Sequence, residues 1–192
     1  MSRQEAVEQY ARALKRGRKL YKDCLIRGRY PYPQVLDEIL DNTMVAGQVD
    51  MGVKEIPMDQ VTGTKTEGRR SAFAANFFPL MEPDTEFAAK WVDLCEAHLG
   101  EGIRDPVRCY EYLGRFYVQE GNKRVSVLKS YDSPSIPAYV IRVIPAWAED
   151  PAILAYYDFM QYYQLTGMYQ VYFSRAGSFA KLQAALGYEP DH

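Results

Sequence analysis

The chain has 192 residues, and its 23 lysines and arginines nearly balance its 25 aspartates and glutamates, giving a formal net charge of −2. This balance excludes a protein that is basic over its whole surface, so any anion-binding site must be local. Three scattered cysteines and two histidines exclude a zinc framework or a histidine triad, and we expect no metal centre, reduced buried thiols and a packing role for His98.

The sequence contains no apolar run near the roughly 18 residues that a transmembrane helix needs. Its amino-terminal segment also lacks the uninterrupted apolar stretch of a signal peptide. We therefore expect a cytoplasmic protein that has no membrane partner.

Two helices are predicted within the first 45 residues. Apolar residues recur at helical spacing from Val7 to Leu25, Ser2 opens a capping-box pattern and Gly28 supplies a C-cap. The proline-bounded residues 30–42 predict a second helix, whose apolar side chains face one way: Val35, Leu36, Ile39 and Leu40. The first helix also carries five cations, which we interpret as a solvated face rather than a nucleic-acid surface: Lys15, Arg16, Arg18, Lys19 and Lys22.

Strands are predicted mainly in the middle of the chain. Alternating apolar residues indicate a strand over residues 48–57, and residues 106–118 indicate a hairpin. Residues 135–145 predict a strand that is buried on both faces at its centre. A helix capped by Asp84 or Thr85 lies between the first strand and the hairpin.

Two further helices are predicted near the carboxyl-terminal end, one beginning after Asp150 and one capped by Ser178. This region is rich in tyrosine. The side chains could stack nucleic-acid bases, but aromatic residues at helical spacing favour a core or a partner interface: Tyr156, Tyr157, Tyr162, Tyr163, Tyr169 and Tyr172.

A turn between a strand and a helix is the strongest candidate for a binding site. In residues 116–129, FYVQEGNKRVSVLK, Gly121 ends the strand, and Lys123 and Arg124 fall in the first helical turn. Unpaired N–H groups and the helix dipole favour anions at such a turn, whereas cations there destabilise the helix. A bound phosphate would offset that cost, and a solvated surface turn is the alternative interpretation.

A second candidate is the polar loop over residues 61–73, VTGTKTEGRRSAF, which contains three cations, several hydroxyls and two glycines. The glycines have the spacing of a P-loop, but Arg69 and Arg70 replace its lysine and its magnesium-binding hydroxyl, so we reject a Walker motif. The loop contributes to an anion site only if the fold brings it near Gly121.

Four segments, taken in order, resemble the ParB/sulfiredoxin-like N-terminal domain family: VKEIPMDQV, EFAAKWVDLCEAHLGEGIRDPV, FYVQEGNKRVSVLK and SIPAYVIRV. The resemblance covers residues 49–144 and implies an α+β fold with a small mixed sheet, flanked here by N- and C-terminal helices. In that family the basic turn holds nucleotide phosphates, and the polar loop completes the site. The resemblance therefore implies a nucleotide- or phosphate-binding site at eight positions: Thr64, Lys65, Thr66, Arg69, Gly121, Asn122, Lys123 and Arg124.

The sequence departs from well-known patterns within that family. Asn122 stands where sulfiredoxin has its catalytic cysteine, so we do not expect sulfinic acid reduction. ParB-type proteins carry a helix-turn-helix region after this domain, and the tyrosine-rich tail does not resemble one. DNA is therefore a possible partner but not the favoured one.

The chain also resembles nucleotide-dependent small-molecule kinases of this fold, in which an acidic residue acts as a base. Glu120 and Glu67 are weak candidates for that catalytic carboxylate, and the favoured interpretation of both is charge pairing with neighbouring cations. A weaker resemblance is to the N-terminal segment of cytoplasmic proteins that carry a basic-membrane-protein-type ligand-binding domain. That resemblance implies that the chain is part of a longer protein.

These patterns predict a helical segment over residues 1–47, a ParB/sulfiredoxin-like domain over 48–145 and a helical extension over 146–192. The expected function is a regulatory module that binds a nucleotide or other phosphate-bearing ligand, with a nucleoside triphosphate and Mg²⁺ as the candidate cofactor. The alternatives are a nucleotide-dependent phosphotransferase or NTPase, and a nucleic-acid-binding or structural interaction module. The tyrosine-rich region is a candidate surface for a homodimer or a further domain.

Overall fold

The structure is a computed structural model that describes residues 3–68 and 70–187. The helices are α1 (Arg3–Ile26), α2 (Leu36–Ile39), α3 (Glu86–Gly100), α4 (Asn122–Ser130), α5 (Pro151–Thr166) and α6 (Ser178–Ala185). The strands are β1 (Gln34–Val35), β2 (Val45–Pro57), β3 (Val61–Thr64), β4 (Val107–Tyr112), β5 (Arg115–Glu120) and β6 (Ser135–Pro145). Ser2, the expected cap of α1, lies outside the described residues, within which no helix is long and apolar enough to cross a bilayer.

The strands form one mixed sheet in the order β1-β3-β5-β4-β6-β2. Strands β4 and β5 are an antiparallel hairpin, as predicted, and its turn places Leu113 at φ 48° and Gly114 at φ 75°. Parallel pairs join β1 to β3, β3 to β5 and β4 to β6, while β2 runs antiparallel to β6. The predicted α+β class, with a small mixed sheet flanked by N- and C-terminal helices, is confirmed.

One face of the sheet is covered by α4, α3 and α1. Side chains of β4 and β5, among them Val107 and Phe116, form a core with Val125 and Leu128 of α4. Behind that layer, α1 packs closely on α3 and on residues 72–78, which precede α3. Gly17 permits this approach, because a β-carbon there would lie 2.4 Å from the carbonyl oxygen of Pro79.

The predicted second helix over residues 30–42 is wrong in most of its length. Residues 34–35 form β1, which pairs with β3, and only the single turn Leu36–Ile39 is helical. Asp41 then caps a short 3₁₀ turn by accepting a hydrogen bond from the Thr43 backbone N–H. Pairing with a neighbouring strand outweighs helix propensity here, because it satisfies the backbone groups of β1.

Residues 36–44 cross the other face of the sheet, since they connect strands at its opposite edges. Leu36 packs there against Tyr112, Tyr117 and Val143. This segment leaves part of that face open, and in β6 the side chains of Tyr139 and Ile141 are only partly buried. The expectation that the centre of β6 is buried on both faces is therefore wrong.

The two predicted carboxyl-terminal helices are confirmed as α5 and α6, but the predicted Ser178 cap is wrong, because Gly177 occupies the N-cap position of α6 and Ser178 is its first residue. Asp150 caps α5 by accepting hydrogen bonds from the N–H groups of Ala152 and Ile153, and Gly167 ends it. The tyrosines of this region mostly pack into the protein's own core, four of them buried: Tyr156, Tyr162, Tyr163 and Tyr169. Their burial leaves these four rings unable to act as an open platform for bases; a partner at this region stays a prediction.

Candidate functional site

The candidate site is built on the turn between β5 and α4. Gly121 follows the last residue of β5 and adopts a left-handed conformation, with φ 104° and ψ 23°. A β-carbon at this position would meet Val107 Cγ1 at 2.6 Å, so the backbone angles and the available space both require glycine. The turn begins α4 at Asn122, whose N–H group and the next ones have no preceding helical turn to bond.

A cavity of about 490 Å³ lies against this turn. Its apolar wall consists of Phe73, Phe87 and Leu94, and its charged wall combines three cations with two carboxylates. Among the described residues, the lining is Phe73, Phe87, Lys90, Asp93, Leu94, Gln119, Glu120, Gly121, Asn122, Lys123 and Arg124. Such a wall suits a ligand that joins an anionic group to an apolar one.

The two cations of the turn have contacts within the protein. The Arg124 guanidinium donates hydrogen bonds to the carbonyl oxygens of Asp105 at 2.8 Å and Pro106 at 3.1 Å. Lys123 Nζ lies 5.0 Å from the centroid of the Phe87 ring. Arg124 therefore also anchors the chain before β4, which gives this cation a structural role beside any role in binding.

Asn122 carries an unusual side-chain oxygen. Its Oδ1 atom is buried and has no hydrogen-bond partner among the described residues. A buried acceptor without a partner is costly, and a hydroxyl or amino group of a ligand in the adjoining cavity would satisfy it. The residue lines that cavity, so the position is suitable for such a contact.

The polar loop begins beside the Gly121 turn, because β3 and β5 are parallel neighbours and end at the same edge of the sheet. The Lys65 N–H donates to the Val118 carbonyl oxygen at 2.9 Å, but the Lys65 side chain forms an ion pair with Asp37. Thr64 is buried and its hydroxyl donates to the Thr66 carbonyl oxygen at 2.9 Å. None of these three loop residues lines the cavity, and their role in binding stays a prediction.

The acidic and basic residues that follow in the loop are placed differently. Arg69 lies outside the described residues. Arg70 forms ion pairs with Glu38 at 2.5 Å and Glu67 at 3.3 Å, so Glu67 is a charge partner, as favoured from the sequence. Glu120 instead lines the cavity and is the carboxylate candidate that the fold places beside the turn.

Sequence reasoning missed the contribution of α3 to the cavity. Phe87, Lys90 and Leu94 follow at helical spacing, and this stripe faces the Gly121 turn. Thr85 caps the helix by accepting a hydrogen bond from the Ala88 N–H, which places the stripe. The spacing was visible in the sequence, but the partner element across the cavity was not.

The histidine and the cysteines do not form a reactive site. His98 packs against Tyr131 with 5.3 Å between the centroids of the tilted rings, and burial lowers the pKa of His98. Its Nδ1 atom is buried without a hydrogen-bond partner in the described part of the chain. All three cysteines are buried and free, as expected, and burial raises the pKa of Cys109 to about 12.

The basic cluster of α1 is partly neutralised. Arg16 pairs with Asp132 at 3.4 Å, and Arg18 forms an ion pair with Glu82. The three lysines of the cluster are exposed on the same helix. Mixed pairing and exposure of this kind are typical of a solvated helix face.

No protein-family model matches this sequence, and neither does any curated protein. Among solved structures, the chain is similar to sulfiredoxin from Arabidopsis thaliana, with 18% sequence identity and a TM-score of 0.32. The similarity covers 46% of this chain and 82% of that one. A similarity this distant leaves the family resemblance inferred from the motifs a prediction.

Proposed function

We propose that the chain is a regulatory module that binds a nucleotide or another phosphate-bearing small molecule at the first turn of α4. The observation that carries the proposal is the left-handed Gly121 turn, which opens on a cavity lined by Lys90, Lys123 and Arg124. Backbone N–H groups, the helix dipole and cations then act together on one anionic group.

The charges around the cavity favour an anion. Asp93, one of its two carboxylates, accepts a 2.7 Å hydrogen bond from Arg3, which offsets its negative charge. The charge of Lys90 is offset in turn by Glu86, which pairs with it at 2.5 Å. The amino-terminal end of a helix adds the equivalent of roughly half a positive charge. A phosphate at the turn would therefore place its negative charge where the positive charges outweigh the negative ones.

The rest of the cavity suits the remainder of a nucleotide. Phe73, Phe87 and Leu94 form an apolar wall that a base or a sugar could contact, although Phe73 and Phe87 are buried and offer no open ring for stacking. A nucleoside triphosphate would bring Mg²⁺ on its phosphates, and Glu120 is the wall carboxylate that could contact that ion.

Glu120 also supports the second candidate function, a phosphotransferase or NTPase. A carboxylate beside the phosphates is the group that would accept a proton from an attacking hydroxyl or water. Turnover of a nucleotide by the wild-type protein, lost in Glu120→Gln with binding retained, would favour this enzyme over the binding module.

A thermal-shift panel tests the proposal. We expect one of ATP, ADP, CTP, GTP or inorganic phosphate, with or without Mg²⁺, to raise the midpoint of unfolding of the wild-type protein. A ligand that binds the folded state alone adds roughly 2.7 kcal/mol at 100 times its dissociation constant, which is a readily visible shift. We expect Lys123→Ala and Arg124→Ala to reduce the shift.

Two controls separate binding from stability. Lys19→Ala removes an exposed cation of α1 and should leave the ligand-induced shift unchanged. Arg124→Lys keeps the charge but loses the fork that holds Asp105 and Pro106, so it reports the structural contribution of the guanidinium. A panel without any shift, or shifts equal in all variants, would contradict the proposal.

A further inference from the structure

A second cavity lies at the opposite end of α4 from the Gly121 turn. Its volume is about 490 Å³, it is open to solvent on one side, and it is bordered by α1, the turn after β2, the chain at residues 76–78 and the turn after α4. Its lining is Arg16, Met58, Asp59, Asn76, Phe78, Lys129, Asp132, Ser133 and Pro134. None of the proposed phosphate-binding residues that the structure describes contributes to it.

Lys129 is the group in this lining with chemical reactivity. Its ammonium or amine nitrogen, Nζ, donates a hydrogen bond to the Val61 carbonyl oxygen at 2.9 Å and lies 5.2 Å from the centroid of the Phe77 ring. Burial lowers the pKa of Lys129 to about 8, with the charge of Asp59 opposing that shift. A neutral amine that donates one proton to Val61 keeps its lone pair for a ligand in the cavity.

Three other charged side chains line this cavity, and the charge of one of them, Asp59, acts on the Lys129 amine. Asp59 lies on the short turn after β2, Arg16 on α1 and Asp132 on the turn after α4. Arg16 pairs with Asp132 at 3.4 Å, which leaves Asp59 as the net charge when Lys129 is neutral. The cavity therefore disfavours an anionic ligand and favours a cationic state of a group formed at Lys129.

The backbone around the cavity is held in a rare conformation at two positions. Phe77 has φ 66° and Asp132 has φ 53°, and both are non-glycine residues in the left-handed region. Asp132 lines the cavity, and Phe77 lies between two lining residues and under Lys129. The conformation of Asp132 belongs to the Schellman motif that ends α4, in which the N–H groups of Asp132 and Ser133 donate to the carbonyl oxygens of Lys129 and Leu128. At the bulky Phe77 such a conformation is uncommon and is fixed by the surrounding structure.

From this arrangement we propose that Lys129 is the nucleophilic amine of a second site, which condenses with small uncharged aldehydes or ketones to form an imine. The lone pair of Nζ attacks the carbonyl carbon, and the carbonyl oxygen leaves as water with the two amine protons. The C=O bond is replaced by C=N, with no oxidant or reductant required. Protonation of the imine gives a cation that the negative charge of Asp59 stabilises.

Reductive labelling of the whole protein tests this proposal. Propanal and cyanoborohydride at pH 7 convert each imine into a stable secondary amine, which peptide mapping locates. The difference between a pKa near 8 and the ordinary lysine value of 10.5 makes the neutral fraction on the order of 300-fold larger at Lys129. We expect labelling at Lys129 to exceed that of exposed lysines such as Lys90 by at least about tenfold. This is less than the roughly 300-fold difference in neutral fraction, because the aldehyde has restricted access to Lys129.

Two comparisons sharpen the result. Glyoxylate, an aldehyde with a carboxylate, should show a smaller preference for Lys129 than propanal does, because Asp59 repels it. Lys129→Arg should lose the fast label while keeping a cation in place. Peptide mapping distinguishes label at Lys129 from label at the α-amino group of the chain, which also has a low pKa. Labelling of Lys129 no faster than that of Lys90, or a preference for Lys129 that is larger with glyoxylate than with propanal, would overturn the proposal.

Discussion

Replacing Glu111 by glutamine is expected to lower the free energy of unfolding by about 3–5 kcal/mol, because it leaves the charge of Arg142 buried without a counter-charge. Glu111 and Arg142 are paired residues of β4 and β6, and the Arg142 Nε donates to Glu111 Oε2 at 2.5 Å. The side chain of Glu111 is fully buried and that of Arg142 is 5% exposed. Urea unfolding followed by circular dichroism measures the change.

The pair also links the sheet to the carboxyl-terminal region. The hydroxyl of Tyr156 donates to Glu111, and the Arg142 guanidinium donates to the Tyr169 hydroxyl at 3.0 Å. Burial and then the charge of Glu111 raise the pKa of Tyr156, so this phenol stays protonated as a donor. Loss of the carboxylate therefore also weakens the attachment of α5.

Two comparisons test this explanation of the Glu111→Gln effect. Arg3→Ala removes an exposed ion pair with Asp93 and should change the stability little. The double variant Glu111→Leu with Arg142→Met removes both charges and should recover much of the loss, because neither desolvated charge remains. A loss in Glu111→Gln as small as that in Arg3→Ala would contradict the account.

Trp91→Ala is expected to lower the free energy of unfolding by about 3–5 kcal/mol through the cavity that it leaves. Trp91 is fully buried between α1 and α4, with its ring 5.2 Å from that of Tyr10. Its Nε1 donates to the Ser126 hydroxyl at 2.8 Å, so the substitution also removes a buried hydrogen bond.

The other tryptophan of the chain provides the matched control. Trp147 is 65% exposed, and Trp147→Ala should change the free energy by no more than about 0.5 kcal/mol. Both variants are best followed by far-ultraviolet circular dichroism, since each removes one of the two tryptophan fluorophores. Similar losses in both would show that the α1–α3–α4 layer does not depend on Trp91.

Local signals in the sequence were sufficient to predict the turns and the helix cap that depend on one or two residues. The Leu113-Gly114 hairpin, the Thr85 cap and the Gly121 turn each rest on a residue whose backbone conformation or side-chain hydrogen bond acts locally. The helix predicted over residues 30–42 failed because β1 pairs with β3, a contact between distant segments that periodicity does not register.

The candidate site was predictable in part for the same reason. The strand–glycine–helix pattern indicated the turn at Gly121, but the role of α3 in the cavity depends on how that helix packs against α4. Ion pairing of Lys65 with Asp37 also depends on residues far apart in sequence. The buried Glu111–Arg142 pair could not be recognised, because nothing local in the sequence shows that these residues of β4 and β6 lie opposite each other.

Amide chemical shifts test the central claim most directly. In a titration of ¹⁵N-labelled protein with ATP and Mg²⁺, and separately with inorganic phosphate, we expect the largest changes at residues 121–124, whose N–H groups begin α4. Binding there with saturable changes would establish the phosphate site. Unchanged signals at these four residues, with or without changes elsewhere such as the basic cluster of α1, would contradict it.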